Sequence, residues 1–213
     1  MKKLHAIFGG NFDPIHYGHI YSAEKLAQRL SIEKIILLPN NNPPHRAQTK
    51  TSIIDKINMI KLAVYDNSLF EVSYLEIERK HVFFTVDTLK KIRKKIGFLQ
   101  SLCFIIGEDN LQSFNLWKDW KKILLYSHLL ICPRKYKKKN YSLTQWINSH
   151  ITRDANILHQ KPFGYIFFSD IETINISSSQ IRENYFSGKS SYGLLPPMVH
   201  KYIILKKLYY NQL

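Results

Sequence analysis

Cysteine is nearly absent: Cys103 and Cys132 are the only two in 213 residues. Neither belongs to a CxxC pair or stands at a Cys/His ligand spacing, and both fall in apolar runs that read as buried strands. They are expected to be core thiols. Long apolar runs are missing too. None reaches the ~18 residues that a membrane-crossing helix needs. Residues 1–3 begin as a signal peptide can, but the apolar part that follows is about five residues, contains His5 and ends at Gly9-Gly10. That is too short for an export signal, so a cytoplasmic protein without a membrane partner is expected. Acidic residues are scarce as well, 16 against 31 lysines and arginines, for a formal charge of +15. Such an excess raises nucleic acid as a partner. Here the basic residues are split among residues 90–95, 134–139 and 201–207, which fits a solvated basic surface better. No nucleic acid is expected. There is no internal repeat, low-complexity tract or linker. With 45% hydrophobic and 13% aromatic residues, one domain over residues 1–213 with a sizeable core is expected. Oligomeric state is not encoded legibly, and a homo-oligomer is compatible with the sequence.

What is present is concentrated in residues 9–20, Gly-Gly-Asn-Phe-Asp-Pro-Ile-His-Tyr-Gly-His-Ile. Residues 4–8 before it read as a buried strand, and residues 20–30 after it as an amphipathic helix. The window is therefore a strand-to-helix turn at a strand's carboxyl end, where open α/β sheets hold ligands. Gly9 and Gly10 lack the Cβ atoms that would keep a phosphate off the backbone. The helix start offers N–H donors and a positive dipole end to an anion. His16 and His19, three apart, face one side. No GK[ST] follows, so this is not a Walker P-loop, and it is not GxGxxG either.

Strand and helix patterns then alternate. Strands are expected at residues 34–38, 70–77, 102–106, 128–132 and 165–168, and helices at 51–66, from Thr85 to about 96, from about 177 to 188 and from 196 to 208. This order predicts an α/β fold: a Rossmann-like parallel sheet with helices on both faces. The second strand runs into Pro39-Asn40-Asn41-Asn42-Pro43-Pro44-His45-Arg46, a loop on the same edge as the glycine turn, which places Asn40, His45 and Arg46 to meet a ligand. Thr85 is read as the cap of a helix whose Val86, Leu89 and Ile96 lie inward and whose Lys90, Lys91, Arg93, Lys94 and Lys95 form a wet face. Residues 102–106 deliver Gly107-Glu108-Asp109 to the same edge. Phe114, Trp117, Trp120 and Ile123 follow at spacings of three. Trp120 and Ile123 read as core; Trp117, nearer the strand end, is placed to stack a planar ring. Ser177 with Gln180 fits a capping box, and Ser179 and Arg182 share a face beside that second helix start, a hydroxyl and a guanidinium for one phosphate.

The first window resembles the GGxFDPxHxGH signature of the nucleotidyltransferase superfamily. Ile176 to Arg182 resembles its ISxTxIR signature. With the PPHR loop, Thr85 and Thr88-Leu89, Ile105 to Asp109, Phe114 to Trp117 and Leu194-Leu195-Pro196, the chain resembles bacterial nicotinate-nucleotide adenylyltransferases over essentially its whole length. The resemblance implies adenylyl transfer from ATP to nicotinate mononucleotide, with Mg2+ carried mainly on the ATP phosphates and no dedicated protein metal site. It implies His16, His19 and Arg182 as catalytic residues. Gly9, Gly10, Asn11, Phe12, Gly107, Asp109 and Ser179 join them on the ATP side. Asn40, His45, Thr85, Trp117 and Arg134 are implied on the nicotinate nucleotide side. The rivals are an enzyme preferring the amide nucleotide, nicotinamide mononucleotide, and a non-catalytic nucleotide- or RNA-binding protein on the same fold. Four positions depart from the family pattern: Asn11 and Ser179 stand where threonine is common, Phe84 where tyrosine is frequent, and Pro133 where a second basic residue occurs.

Overall fold

The computed structural model describes residues 3–40, 51–75, 84–133 and 144–210. Among these residues six strands form one sheet: β1 (Leu4–Gly10), β2 (Ile32–Pro39), β3 (Phe70–Val72), β4 (Leu102–Gly107), β5 (His128–Cys132) and β6 (Ile166–Phe168). Every pairing is parallel, in the order β3-β2-β1-β4-β5-β6. The helices are α1 (Tyr17–Leu30), α2 (Ile53–Ala63), α3 (Thr85–Ile96), α4 (Thr144–His150), α5 (Ile157–Gln160), α6 (Ser178–Phe186) and α7 (Pro197–Leu205). The expected Rossmann-like α/β sheet is therefore what forms. Its strand order reverses between β1 and β4, which opens a crevice at their carboxyl ends.

Side chains alternate across the strands with period two and build two cores. Ala6, Phe8, Ile35, Leu37, Cys103, Ile105 and Leu130 face one layer with α1, α2, α6 and α7. Ile7, Phe104, Ile106, Leu129 and Ile131 face the other with α3 and the region after β4. Cys103 and Cys132 are both buried free thiols, as expected. Burial in apolar surroundings pushes the Cys103 thiol up to about 12, so it stays protonated. Among the described residues, no helix is long and apolar enough to cross a membrane.

Several local expectations are corrected. The strand expected over residues 70–77 is confined to Phe70–Val72; residues 76–77 lie outside the described residues. Thr85 is the first helical residue and not the cap; Phe84 holds the cap position without a side-chain cap bond. Residues 108–125 form two 3-10 helices, Glu108–Leu116 and Trp120–Leu125. The spacing of three in Phe114, Trp117, Trp120 and Ile123 is the eclipsed period of that helix type, which has three residues per turn. The short helix α5 had no expectation attached to it.

Arg93 departs furthest from its expected place. It belongs to no wet face: it is fully buried. Its guanidinium donates to the carbonyl oxygens of Tyr126, Gly97, Gln100 and Pro162, at 2.5–3.1 Å. Those five contacts match its five N–H donors. Ile96, expected inward, is exposed in the last turn of α3. Beside Arg93, His128 is held neutral. Burial presses its pKa down to about 4. Its Nδ1 accepts from the Tyr165 N–H at 3.2 Å, which leaves Nε2–H to donate to the Lys161 carbonyl at 2.8 Å. These groups knit the amino-terminal edge of the sheet, opposite the crevice.

Candidate active site

A cavity of about 550 Å³ opens at the carboxyl ends of β1, β4 and β5. All ten residues assigned to the ATP side line it: Gly9, Gly10, Asn11, Phe12, His16, His19, Gly107, Asp109, Ser179 and Arg182. Sequence positions 9 and 182 thus meet at one crevice because β1 and α6 converge there.

The glycine turn is packed more tightly than its sequence indicated. A Cβ on Gly9 would come within 3.0 Å of the Phe104 ring, and one on Gly10 within 2.8 Å of the Phe12 ring. Their bare backbone is needed first for two aromatic rings. Phe12 itself adopts φ +45° and is buried, edge-on against Phe8 and His19. A Cβ on Gly18 would meet the His16 ring at 3.0 Å. These glycines therefore shape the aromatic wall that sets the two imidazoles in place.

His16 occupies the N-cap of α1 and is buried, while His19 is half-buried one turn on. Their rings stack with centroids 3.7 Å apart. The His16 backbone N–H donates to His19 Nδ1 at 3.3 Å. Accepting at Nδ1 puts the proton of a neutral His19 on Nε2, the nitrogen away from the backbone.

The second helix start closes the site. Ser177 caps α6, its hydroxyl accepting from the Gln180 N–H at 3.2 Å. Ser178 donates to the Pro14 carbonyl at 3.0 Å. Arg182 donates to the Asp13 carbonyl at 2.7 Å and to the Ser179 hydroxyl at 3.3 Å. The two signatures therefore hold each other: α6 grips the turn that carries the histidines. Two N–H groups of Arg182 are used this way, which leaves others of its five for an anion.

Sequence reasoning missed two residues of this neighbourhood. Tyr209, fully buried near the carboxyl end, donates to Asp13 Oδ1 at 2.7 Å. Burial and the adjacent Asp13 carboxylate raise its pKa well above the usual tyrosine value, so it remains a donor. Lys56, on α2, is buried and donates to Asn11 Oδ1 at 2.8 Å. Neither carries a sequence signal: one looks like a tail aromatic and the other like a helix-surface lysine.

The residues assigned to the nicotinate nucleotide side are not gathered in the same way. Asn40, Thr85 and Trp117 are absent from the cavity lining. Asn40 stays close, its backbone N–H donating to the Gly10 carbonyl at 2.9 Å. Trp117 is half-buried, edge-on to Phe104 and tilted against Phe114. Lys118 joins this segment to the start of α3, with Nζ 3.0 Å from Asp87 and 4.5 Å from the Phe84 ring centre. His45 and Arg134 lie outside the described residues.

Comparison with known proteins gives the family. The cytidylyltransferase-like family model matches residues 7–184. The chain is 68% identical over 212 residues to the probable nicotinate-nucleotide adenylyltransferase of Buchnera aphidicola subsp. Acyrthosiphon pisum (strain Tuc7), covering 99% of each chain. It is 43% identical over 210 residues to that of Yersinia pestis (strain Pestoides F), covering 97% of this chain and 96% of the relative. Among solved structures, Plasmodium falciparum nicotinic acid mononucleotide adenylyltransferase complexed with NaAD superposes with a TM-score of 0.70 at 22% identity, over 97% of both chains, and so shares the fold. At this identity and coverage, the chain belongs to the nicotinate-nucleotide adenylyltransferases, within the cytidylyltransferase-like nucleotidyltransferases.

Proposed function

We propose that the chain, acting as one domain over residues 1–213, transfers the adenylyl group of ATP to nicotinate mononucleotide. The products are nicotinate adenine dinucleotide and pyrophosphate, a step of NAD biosynthesis. The observation that carries this reading is the convergence of both family signatures on one cavity, in a chain 68% identical to a relative of that name. The attacking group is a phosphate oxygen, already largely ionised at neutral pH because its second pKa is about 6. No general base is needed. The site has to align two anions and neutralise the charge that builds on the transferred phosphorus and the leaving pyrophosphate.

His19 supplies an Nε2–H donor, and His16 packs against it at the start of α1. Arg182 and Ser179 offer a guanidinium and a hydroxyl beside the N-terminus of α6. Phe12 and the glycine turn wall the crevice, and Phe12 packs edge-on against the His19 ring. Magnesium, carried on ATP, supplies charge neutralisation to the triphosphate. The donor set fits that use. Asp109 is the carboxylate among the lining residues, and magnesium is commonly held by one or two carboxylates plus substrate phosphates and water. The setting we propose is the cytoplasm, consistent with two free buried thiols.

The nicotinate ring is assigned to Trp117 and its carboxylate to backbone donors near Thr85 and residue 118. Trp117→Ala is expected to raise the KM for nicotinate mononucleotide more than the KM for ATP. Steady-state kinetics with each substrate varied in turn checks this; an equal change in both would make Trp117 a core residue only. The reaction itself is tested by separating the products of a mixture of ATP, nicotinate mononucleotide and magnesium. Dinucleotide and pyrophosphate in equal amounts are expected, and neither should form when magnesium is chelated.

A further inference from the structure

Among the groups around the crevice, Lys56 is a buried cation that does not itself line the cavity. Its Nζ lies 2.8 Å from Asn11 Oδ1, and Asn11 does line the cavity. An ammonium has three donors and no acceptor. The amide end that meets it must therefore be the carbonyl oxygen, and the –NH2 end is turned the other way. An asparagine side chain at an anion site is useful in only one of its two orientations. With –NH2 toward a phosphate it donates; flipped, it presents a lone pair to negative charge. Lys56 removes the second orientation.

From this contact we propose that Lys56 is a positioning residue: it locks the Asn11 amide so that its N–H donors are the end offered to the triphosphate of the bound nucleotide. The proposal rests on the adenylyl-transfer reading for the identity of that anion. It also bears on a position where the resemblance to the GGxFDPxHxGH signature leads one to expect threonine. A hydroxyl rotates and donates without outside help, whereas an amide needs its polarity set. Burial lowers the Lys56 pKa and Arg182 adds repulsion, while the buried Asp13 carboxylate acts against both. The counter-charge that opposes this lowering sits on the same turn that carries Asn11.

The test is a double-mutant cycle on the full chain: wild type, Lys56→Met, Asn11→Thr, and both together. Pyrophosphate release gives kcat and the KM for ATP, equilibrium dialysis gives the Kd for ATP, and thermal melting reports folding. Lys56→Met is expected to weaken ATP binding and kcat/KM for ATP by ~10-fold in the Asn11 background, the scale of one hydrogen bond in a charged site. In the Asn11→Thr background, the same substitution should cost less than ~3-fold. Lys56→Arg should restore most of the loss, and the KM for nicotinate mononucleotide should change little. Equal losses in both backgrounds would overturn the proposal and leave Lys56 a structural cation. If Lys56→Met does not fold, Lys56→Gln takes its place in the same cycle. Wild type that binds ATP but releases no pyrophosphate would defeat the adenylyl-transfer reading alone, and the ATP Kd cycle would still decide the role of Lys56.

Discussion

His19→Ala is expected to lower turnover by ~10²-fold or more, the loss seen when one preorganised donor to developing charge is removed. That factor corresponds to about 2.7 kcal/mol of transition-state stabilisation. The size follows from how His19 is held. Its Nδ1 accepts the His16 N–H at 3.3 Å, its ring stacks on His16 with centroids 3.7 Å apart, and Phe12 packs edge-on with centroids 5.1 Å apart. Three contacts fix ring and tautomer before any substrate arrives, so the Nε2–H donor does not have to be ordered during the reaction. Because His19 is half-buried and its Nδ1 satisfies one N-cap backbone N–H, its loss should lower the melting temperature by only about 2–4 °C. Single-turnover measurement of pyrophosphate release, with melting as the control, checks this. A folded His19→Ala protein with near-normal turnover would show that the imidazole does not touch the reacting phosphates.

Arg93→Met is expected to have the largest effect on stability, on the order of 3 kcal/mol or more. Arg93 is fully buried and binds four backbone carbonyls drawn from the end of α3, the turn after it, Tyr126 and Pro162. Removing it takes the partner from the carbonyls of Tyr126, Gly97 and Gln100, while that of Pro162 keeps the Leu102 N–H at 3.2 Å, at roughly 1–3 kcal/mol for each that water cannot reach. Against this stands the relief of a buried charge, visible in the pKa of Arg93, which burial lowers. The carbonyls outnumber the one charge, so the loss wins. In a chain of this size the melting temperature should fall by about 10 °C. Arg93→Lys should recover little, because an ammonium has three donors and no planar fork. Turnover of the remaining folded protein at low temperature should be unaffected, since Arg93 lies at the sheet edge opposite the cavity. A melting temperature unchanged by Arg93→Met would mean that these carbonyls find other partners.

The contrast between these two residues shows what the sequence makes legible. The sheet and the gathering of both signatures at one crevice could be read because each is written locally: apolar runs for parallel strands, and contiguous signatures at residues 9–19 and 176–182. Arg93 could not, because residue type and spacing disagreed. Val86, Leu89 and Arg93 form one helical stripe, so the period pointed Arg93 inward while its charge pointed it out. Spacing won, since the carbonyls at the end of α3 and in the turn after it needed donors. Lys56 and Tyr209 were invisible for another reason. Their partners, Asn11 and Asp13, lie 45 and 196 residues away along the chain, and only the fold brings them together. Gly10 was read as making room for a phosphate, whereas what a Cβ there would meet is the Phe12 ring.

The central claim is adenylyl transfer to the acid form of the nucleotide. It is tested most directly by pyrophosphate release with ATP and magnesium, comparing nicotinate mononucleotide with nicotinamide mononucleotide at matched concentrations. The account predicts a preference for the acid of ~10-fold or more, the scale of a charge-assisted hydrogen bond to its carboxylate. Equal or reversed rates would contradict the substrate while leaving the chemistry of His16, His19 and Arg182 in place. No release with either nucleotide would contradict the transfer itself.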